Sequence, residues 1–233
     1  MLYFFAAIVF AETGAEWLQK IDQQNKIDSA HMRLSLEVTD SKGRTATRKM
    51  EIWQLGDHSR LVRMQEPARL KGISLLIQGQ DNLHLFLPEY PPARRVLNSN
   101  RSDAFLGTDF AIDDLARMQY SSQYSAEYKG KEEGGHHLLL SPLEDKKHQQ
   151  AELWCNDSGH VLEIIHYNKK GIADRQLQFS EYKEINGVQL AHLVIVTDLR
   201  NKQNTRGKLE SAEVNIDIYP EIFTVSNLEN FNN

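Results

Sequence analysis

"SNRSDAFLGTDFAIDDLAR", residues 99–117, breaks a rhythm that the rest of the chain keeps. Before it, from about residue 31, apolar and polar residues alternate as they do in half-buried strands, and from about residue 121 the alternation returns. Between lie a polar run, an apolar pair, a glycine and a short helical stripe. Ala104, Phe105 and Leu106 supply apolar bulk. Gly107 lets the backbone turn or approach a neighbour closely. Ile112, Leu115 and Met118 form one apolar helical face. Such a segment, set inside a β-rich chain, predicts a plug that covers a sheet face. Phe105, Leu106 and Phe110 are expected to lie against inward-facing strand residues such as Met50, Ile52 and Leu75, with Leu115 behind them.

Working outward, "HMRLSLEVTD" (31–40) places Met32, Leu34, Leu36 and Val38 on one side. Further runs follow between tight turns, among them "TATRKMEIWQL" (45–55), "ISLLIQG" (73–79) and "LHLFLPE" (83–89). After the insert come "HHLLLSP" (136–142), "HVLEIIHYN" (160–168) and "VQLAHLVIVTDLR" (188–200). Turns every 8 to 12 residues or so mark an antiparallel meander. The reading is a mainly β (α+β) chain of about eleven strands, too many for a flat open sheet, which must curl, split or close. Thr13 to Lys26 reads as one helix, because Thr13 and Glu16 have capping-box spacing and Trp17, Leu18 and Ile21 share a face.

The chain has 233 residues, a formal charge of −5 and no block rich in Lys or Arg, which argues against a nucleic-acid partner. Leu2 to Ala11 is an apolar run too short for a membrane span, which needs about 20 residues. It suits a signal peptide over residues 1–11, with residues 12–233 as a single domain. Glu12 stands where a lipoprotein would carry its cysteine, so neither an anchor nor a spanning segment is expected. Cys155, the only cysteine, forms no internal disulfide and reads as a small buried hydrophobe.

Recognisable chemistry is scarce. His136 and His137 are neighbours on a strand and point to opposite faces; His160 and His166 share a face but stand about 20 Å apart. No metal or cofactor site is expected. No nucleophile elbow, phosphate loop or dinucleotide fingerprint occurs. Asp103 and Asp109 flank the apolar pair of the insert and could be imagined as an acid–base couple. The plainer reading puts Asp109 at the start of the short helix, where its charge complements the helix dipole.

Several blocks together carry a family resemblance: "RTATRKMEIW", "LVRMQEPARLKGISLLI", "LHLFLPEYPPARRV", "FLGTDF" with the following "DDL", and "EYKEINGVQLAHLVIVTDLRN". In this order the chain resembles the outer-membrane lipoprotein-sorting proteins, specifically their long LolA-like branch. The resemblance implies an unclosed, strongly curved antiparallel barrel with an N-terminal helix and a short inserted helix over its concave face. It implies a periplasmic carrier or receptor for a lipid, a lipoprotein or another acylated amphiphile, and no catalysis. An inner-membrane exporter of the resistance-nodulation type is an implied partner.

Three functions are then weighed. A carrier would use the apolar plug. An adaptor would bind an exporter or envelope protein through a loop such as "PEYPPARRV", where Pro91 and Pro92 stiffen the presentation of Arg94 and Arg95. A hydrolase would need a constellation that the sequence does not display.

Overall fold

The computed structural model describes residues 12–143 and 150–230; the signal segment expected over residues 1–11 lies outside them. Helix α1 (Gly14–Gln24) opens on the anticipated capping box: the Glu16 backbone N–H donates to the Thr13 hydroxyl, and the Thr13 backbone N–H donates to Glu16 Oε2. Strands β1 (Ser29–Thr39), β2 (Thr45–Leu55), β3 (Ser59–Glu66), β4 (Ser74–Gln78), β5 (Asn82–Phe86) and β6 (Arg94–Arg95) follow. The insert then carries one short helix, α2 (Ile112–Ala116). Beyond it lie β7 (Tyr124–Glu132), β8 (Gly135–Pro142), β9 (Ala151–Cys155), β10 (Val161–Tyr167), β11 (Ala173–Ile185), β12 (Val188–Asp198) and β13 (Gln203–Val214). A last helix, α3, spans Val225–Asn230.

All thirteen strands join one antiparallel sheet in the order β6-β5-β4-β3-β2-β1-β13-β12-β11-β10-β9-β8-β7. Among the described residues the count exceeds the expected eleven or so, and even the two-residue β6 finds a partner in β5. Because β1 pairs with β13, the first and last strands meet mid-sheet and β6 and β7 become its two outer edges. The chain between β6 and β7 must therefore travel from one edge to the other. That journey answers why an insert sits here: the connection crosses the inner face of a sheet that does not close. Register shifts in β1, β2, β7 and β10 bend the strands locally, as bulges do.

The inner face gathers one large apolar cluster. Trp17, Leu18 and Ile21 of α1 meet Leu36, Met50, Ile52, Val62 and Leu75 from the strands, with Leu138 and Leu153 from the other half. Alternation along β2 shows why: Arg48, Met50 and Ile52 are buried, while Lys49, Glu51 and Trp53 are partly open. Helix α1 sits close against β7. A Cβ on Gly14 would fall 2.0 Å from the Ala126 carbonyl oxygen, so only glycine permits the approach. The outer face of β3 to β5 is covered as well. Leu61, Leu76 and Phe86 pack with Phe223 and Leu228 of the C-terminal segment. Helix α3 has no counterpart among the elements expected from the sequence.

Candidate ligand site on the inner face

The insert is built from a miniature hairpin and α2. Ala104 and Ala111 form an antiparallel bridge, and the Phe105 N–H donates to the Phe110 carbonyl at 2.7 Å. At the tip the Thr108 N–H returns to the Phe105 carbonyl at 3.0 Å, while Leu106 (φ 51°) and Gly107 (φ 69°) are both left-handed. Two successive positive φ angles describe a type I′ hairpin turn, which suits glycine but strains leucine. Leucine tolerates this region less readily than asparagine, which takes it at Asn186 and Asn215, so the tip is a place where the fold holds strain.

The residues named from sequence come together. Phe105, Phe110 and Leu115 are buried in the same cluster as Met50, Ile52 and Leu75, and Leu106 packs against it while half-buried. The inner face is thus filled by the plug. Arg94 and Arg95 stand apart, exposed on the edge strand β6, where Arg95 Nη2 donates to the Asp81 carbonyl at 3.1 Å.

Asp109 corrects one expectation. It does not start the short helix: α2 begins three residues later, and Asp114 serves its N-terminus by accepting the Ala111 N–H at 2.9 Å. Asp109 instead faces β13. Its backbone N–H donates to the Thr205 hydroxyl (2.9 Å), which in turn donates to Asp109 Oδ2 (2.7 Å). Burial pushes the Asp109 carboxyl above its ordinary value.

Arginines hold the insert down, and their pattern was not legible beforehand. Arg60 of β3 donates through Nη1 to the carbonyls of Leu115 (2.6 Å) and Arg117 (3.3 Å), satisfying the C-terminal end of α2. Burial lowers its pKa to about 10. Arg101 meets Asp113 at 2.5 Å and the Gln80 carbonyl at 2.5 Å. Asp114 collects Arg117 (3.6 Å), Arg175 (3.1 Å) and His166 (3.9 Å). One clasp is incomplete: Arg48 of β2 is buried, with its Nε and Nη1 lacking any hydrogen-bond partner.

Beside the insert opens a cleft of about 700 Å³. Its walls include Asp103, Arg117, Lys169, Lys170, Arg175 and Arg200. The open space is therefore of mixed character, with Ala104, Tyr124 and Ile172 among its charged walls, while the apolar inner face is occupied by the protein's own side chains. Among the described residues no group of three or more His, Cys, Asp or Glu could hold a metal ion. His136 is structural: its ring stacks on Trp17 at 4.0 Å and accepts or donates to Tyr128 and Asp157, each at 2.8 Å. Cys155 is buried, and burial pushes its thiol up to about 12, which leaves it in the unreactive thiol form.

This unclosed sheet, with an N-terminal helix and an edge-to-edge insert on its inner face, shares its fold with LolA-like proteins. The structure superposes on an outer membrane lipoprotein-sorting protein domain from Vibrio parahaemolyticus with a TM-score of 0.85 and 19% identity, covering 93% of this chain and 98% of that one. A LolA superfamily protein from Nitrosomonas europaea matches with a TM-score of 0.79 and 20% identity over 92% of this chain and 98% of its own. A DUF1329 family protein from Desulfovibrio piger gives 0.85 and 19%, over 92% and 97%. A family model whose description reads "Uncharacterized protein" matches residues 56–230, and the chain belongs to that family. No curated protein matches the sequence. Among the described residues no helix is long and apolar enough to cross a membrane.

Proposed function

We propose that the protein is a periplasmic carrier or receptor for an acylated amphiphile, a lipid or lipoprotein, held on the inner face of the sheet in place of the hairpin, with residues 12–233 acting as one unit. The observation that carries this is the plug itself. Phe105 and Phe110 fill the inner face, yet they belong to a segment whose hydrogen bonds to the sheet run through side chains, as from Arg60 to the Leu115 carbonyl, from Arg175 to Asp114 and from the Asp109 N–H to Thr205, rather than through a strand ladder. Such a segment can leave without unpairing a strand. The energetics suit a carrier: a chain of about 16 carbons gains on the order of 13 kcal/mol on leaving water, so it does not cross an aqueous space alone at useful rates. A hairpin that competes for the site weakens net binding and permits release. The reading is one of binding, not catalysis.

The test is direct. The mature chain, purified without detergent, is extracted with organic solvent for mass spectrometry, and the stripped protein is then offered acyl-chain ligands. An acyl species should copurify or load stoichiometrically; failure of both sinks the reading. A subsidiary reading, docking to a membrane exporter, draws on the exposed Arg94 and Arg95 at the sheet edge. Under it, Arg94→Glu with Arg95→Glu abolishes capture of the membrane partner and leaves folding and ligand loading intact.

A further inference from the structure

Two arginines beside the hairpin are short of acceptors. Arg48 lies in the same inward row as Met50 and Ile52 and is 8% exposed, and neither its Nε nor its Nη1 has a partner. Arg175, on β11, gives Nη2 to Asp114 Oδ1 at 3.1 Å, while its Nε is buried and unbonded. A guanidinium kept in a packed interior without acceptors is costly, and packing alone would favour an apolar side chain in the row of Met50 and Ile52. The tip of the hairpin lies against the first of these arginines: a Cβ on Gly107 would come 3.4 Å from Arg48 Nη2. Asp109, in the same hairpin, feels both guanidinia, each of which works against the effect of burial on its carboxyl. Its Oδ2 is already engaged by Thr205. One carboxylate cannot fill the open N–H groups of two guanidinia.

We infer that the hairpin imitates the ligand it gives way to: Phe105 and Phe110 stand where an acyl chain lies, Asp109 stands where an anionic headgroup lies, and the ligand is a phosphate-bearing amphiphile whose oxygens Arg48 and Arg175 receive. This rests on the carrier reading above and narrows it to a ligand class. A phosphate brings more acceptor oxygens than a carboxylate, and its geometry matches the guanidinium fork. The cleft opens beside Arg175 and gives the headgroup room; Lys169, Lys170 and Arg200 stand on its wall together with Asp103, Asp113 and Asp174.

The experiment uses the full mature chain, stripped of lipid, and three probes: a lysophosphatidylglycerol, the uncharged monoacylglycerol of the same chain length, and inorganic phosphate. Affinities are measured by calorimetry below micelle concentrations. The phosphate-bearing amphiphile should bind roughly tenfold or more tighter than the uncharged one, as charge-assisted bonds require. Arg48→Gln should erase most of that preference while leaving the uncharged probe's affinity unchanged, with circular dichroism confirming the fold. Arg175→Gln, a second and independent variant, should do the same, and Asp109→Asn should strengthen binding of the anionic probe. Equal binding of both amphiphiles, insensitive to Arg48→Gln and Arg175→Gln, overturns the inference and leaves the carrier reading standing. Binding of neither amphiphile overturns the carrier reading and the inference with it. Arg48-dependent binding of inorganic phosphate alone would mark a site for a free anion and also overturn the inference.

Discussion

Asp109 is held by opposing influences. Burial raises its pKa above the ordinary 3.8, Asp198 adds to the rise, and the Thr205 hydroxyl, Arg175 and Arg48 oppose it. In the unfolded chain the proton leaves near 3.8; in the folded protein it leaves at a higher pH. Through that interval the folded state binds more protons, so this residue's contribution to stability falls as pH rises, and above the folded pKa the full penalty remains. Asp109→Asn removes the titration. Urea midpoints measured near pH 3.5 and near pH 7 should therefore show the variant gaining on the native protein at the higher pH. A variant that loses ground there would mean the carboxylate is stabilised as an anion in the folded state. The residue was visible in the sequence as an acid beside an apolar pair, but its partner Thr205 stands 96 positions away, and nothing local announces that bond.

The insert can be either a fixed part of the core or a removable cover, and Phe105 separates the two. Its side chain is buried in the large inner cluster. In a fixed core, Phe105→Ala costs about 3–5 kcal/mol through lost transfer energy and the cavity left behind. In a removable cover the same change deletes contacts of the closed state only and shifts the population toward the open one. The proposed function therefore expects a loss below about 3 kcal/mol together with increased uptake of an acyl probe. A loss in the full range with no added uptake would make the hairpin core. At this scale the sequence was informative: helix α1, its cap, the inward row of β2 and the apolar residues of the insert were all legible, because each depends on periodicity or on neighbours three or four positions apart. The hairpin was not, since its bridge joins two alanines, Ala104 and Ala111, that carry no strand pattern.

For the molecule as a whole, topology ranks the elements by what holds them. β1 and β13 lie mid-sheet, each hydrogen-bonded on two sides, and β1 is bonded along its full length to β2. The insert's backbone hydrogen bonds close within itself, as from Ile112 to Asp103 and from Asp113 to Arg101, and its bonds to the sheet run through side chains. Local opening should follow that ranking. Native-state hydrogen exchange is expected to release the amides of Phe105, Ile112 and Asp113 well before those of Leu34, Leu36 and Leu209, and a bound amphiphile should alter the first set selectively. Exchange of the insert together with the central strands would place it in the same cooperative unit and count against a removable cover.

What the sequence determined by itself was the kind of element at each place: strands from alternation, helix α1 from its cap and apolar face, turns from glycine and polar pairs, and the apolar character of the insert. These rest on interactions between near neighbours, which any stretch of chain carries with it. The tertiary structure decided what those elements mean together. Pairing of β1 with β13 sends the insert from edge to edge across the inner face. The same pairing sets Thr205 under Asp109, while Arg48 lies beneath Gly107 with its Nε and Nη1 buried and unbonded. Such partners lie from tens to well over a hundred positions apart, and a sheet's register, not its local pattern, brings them into contact.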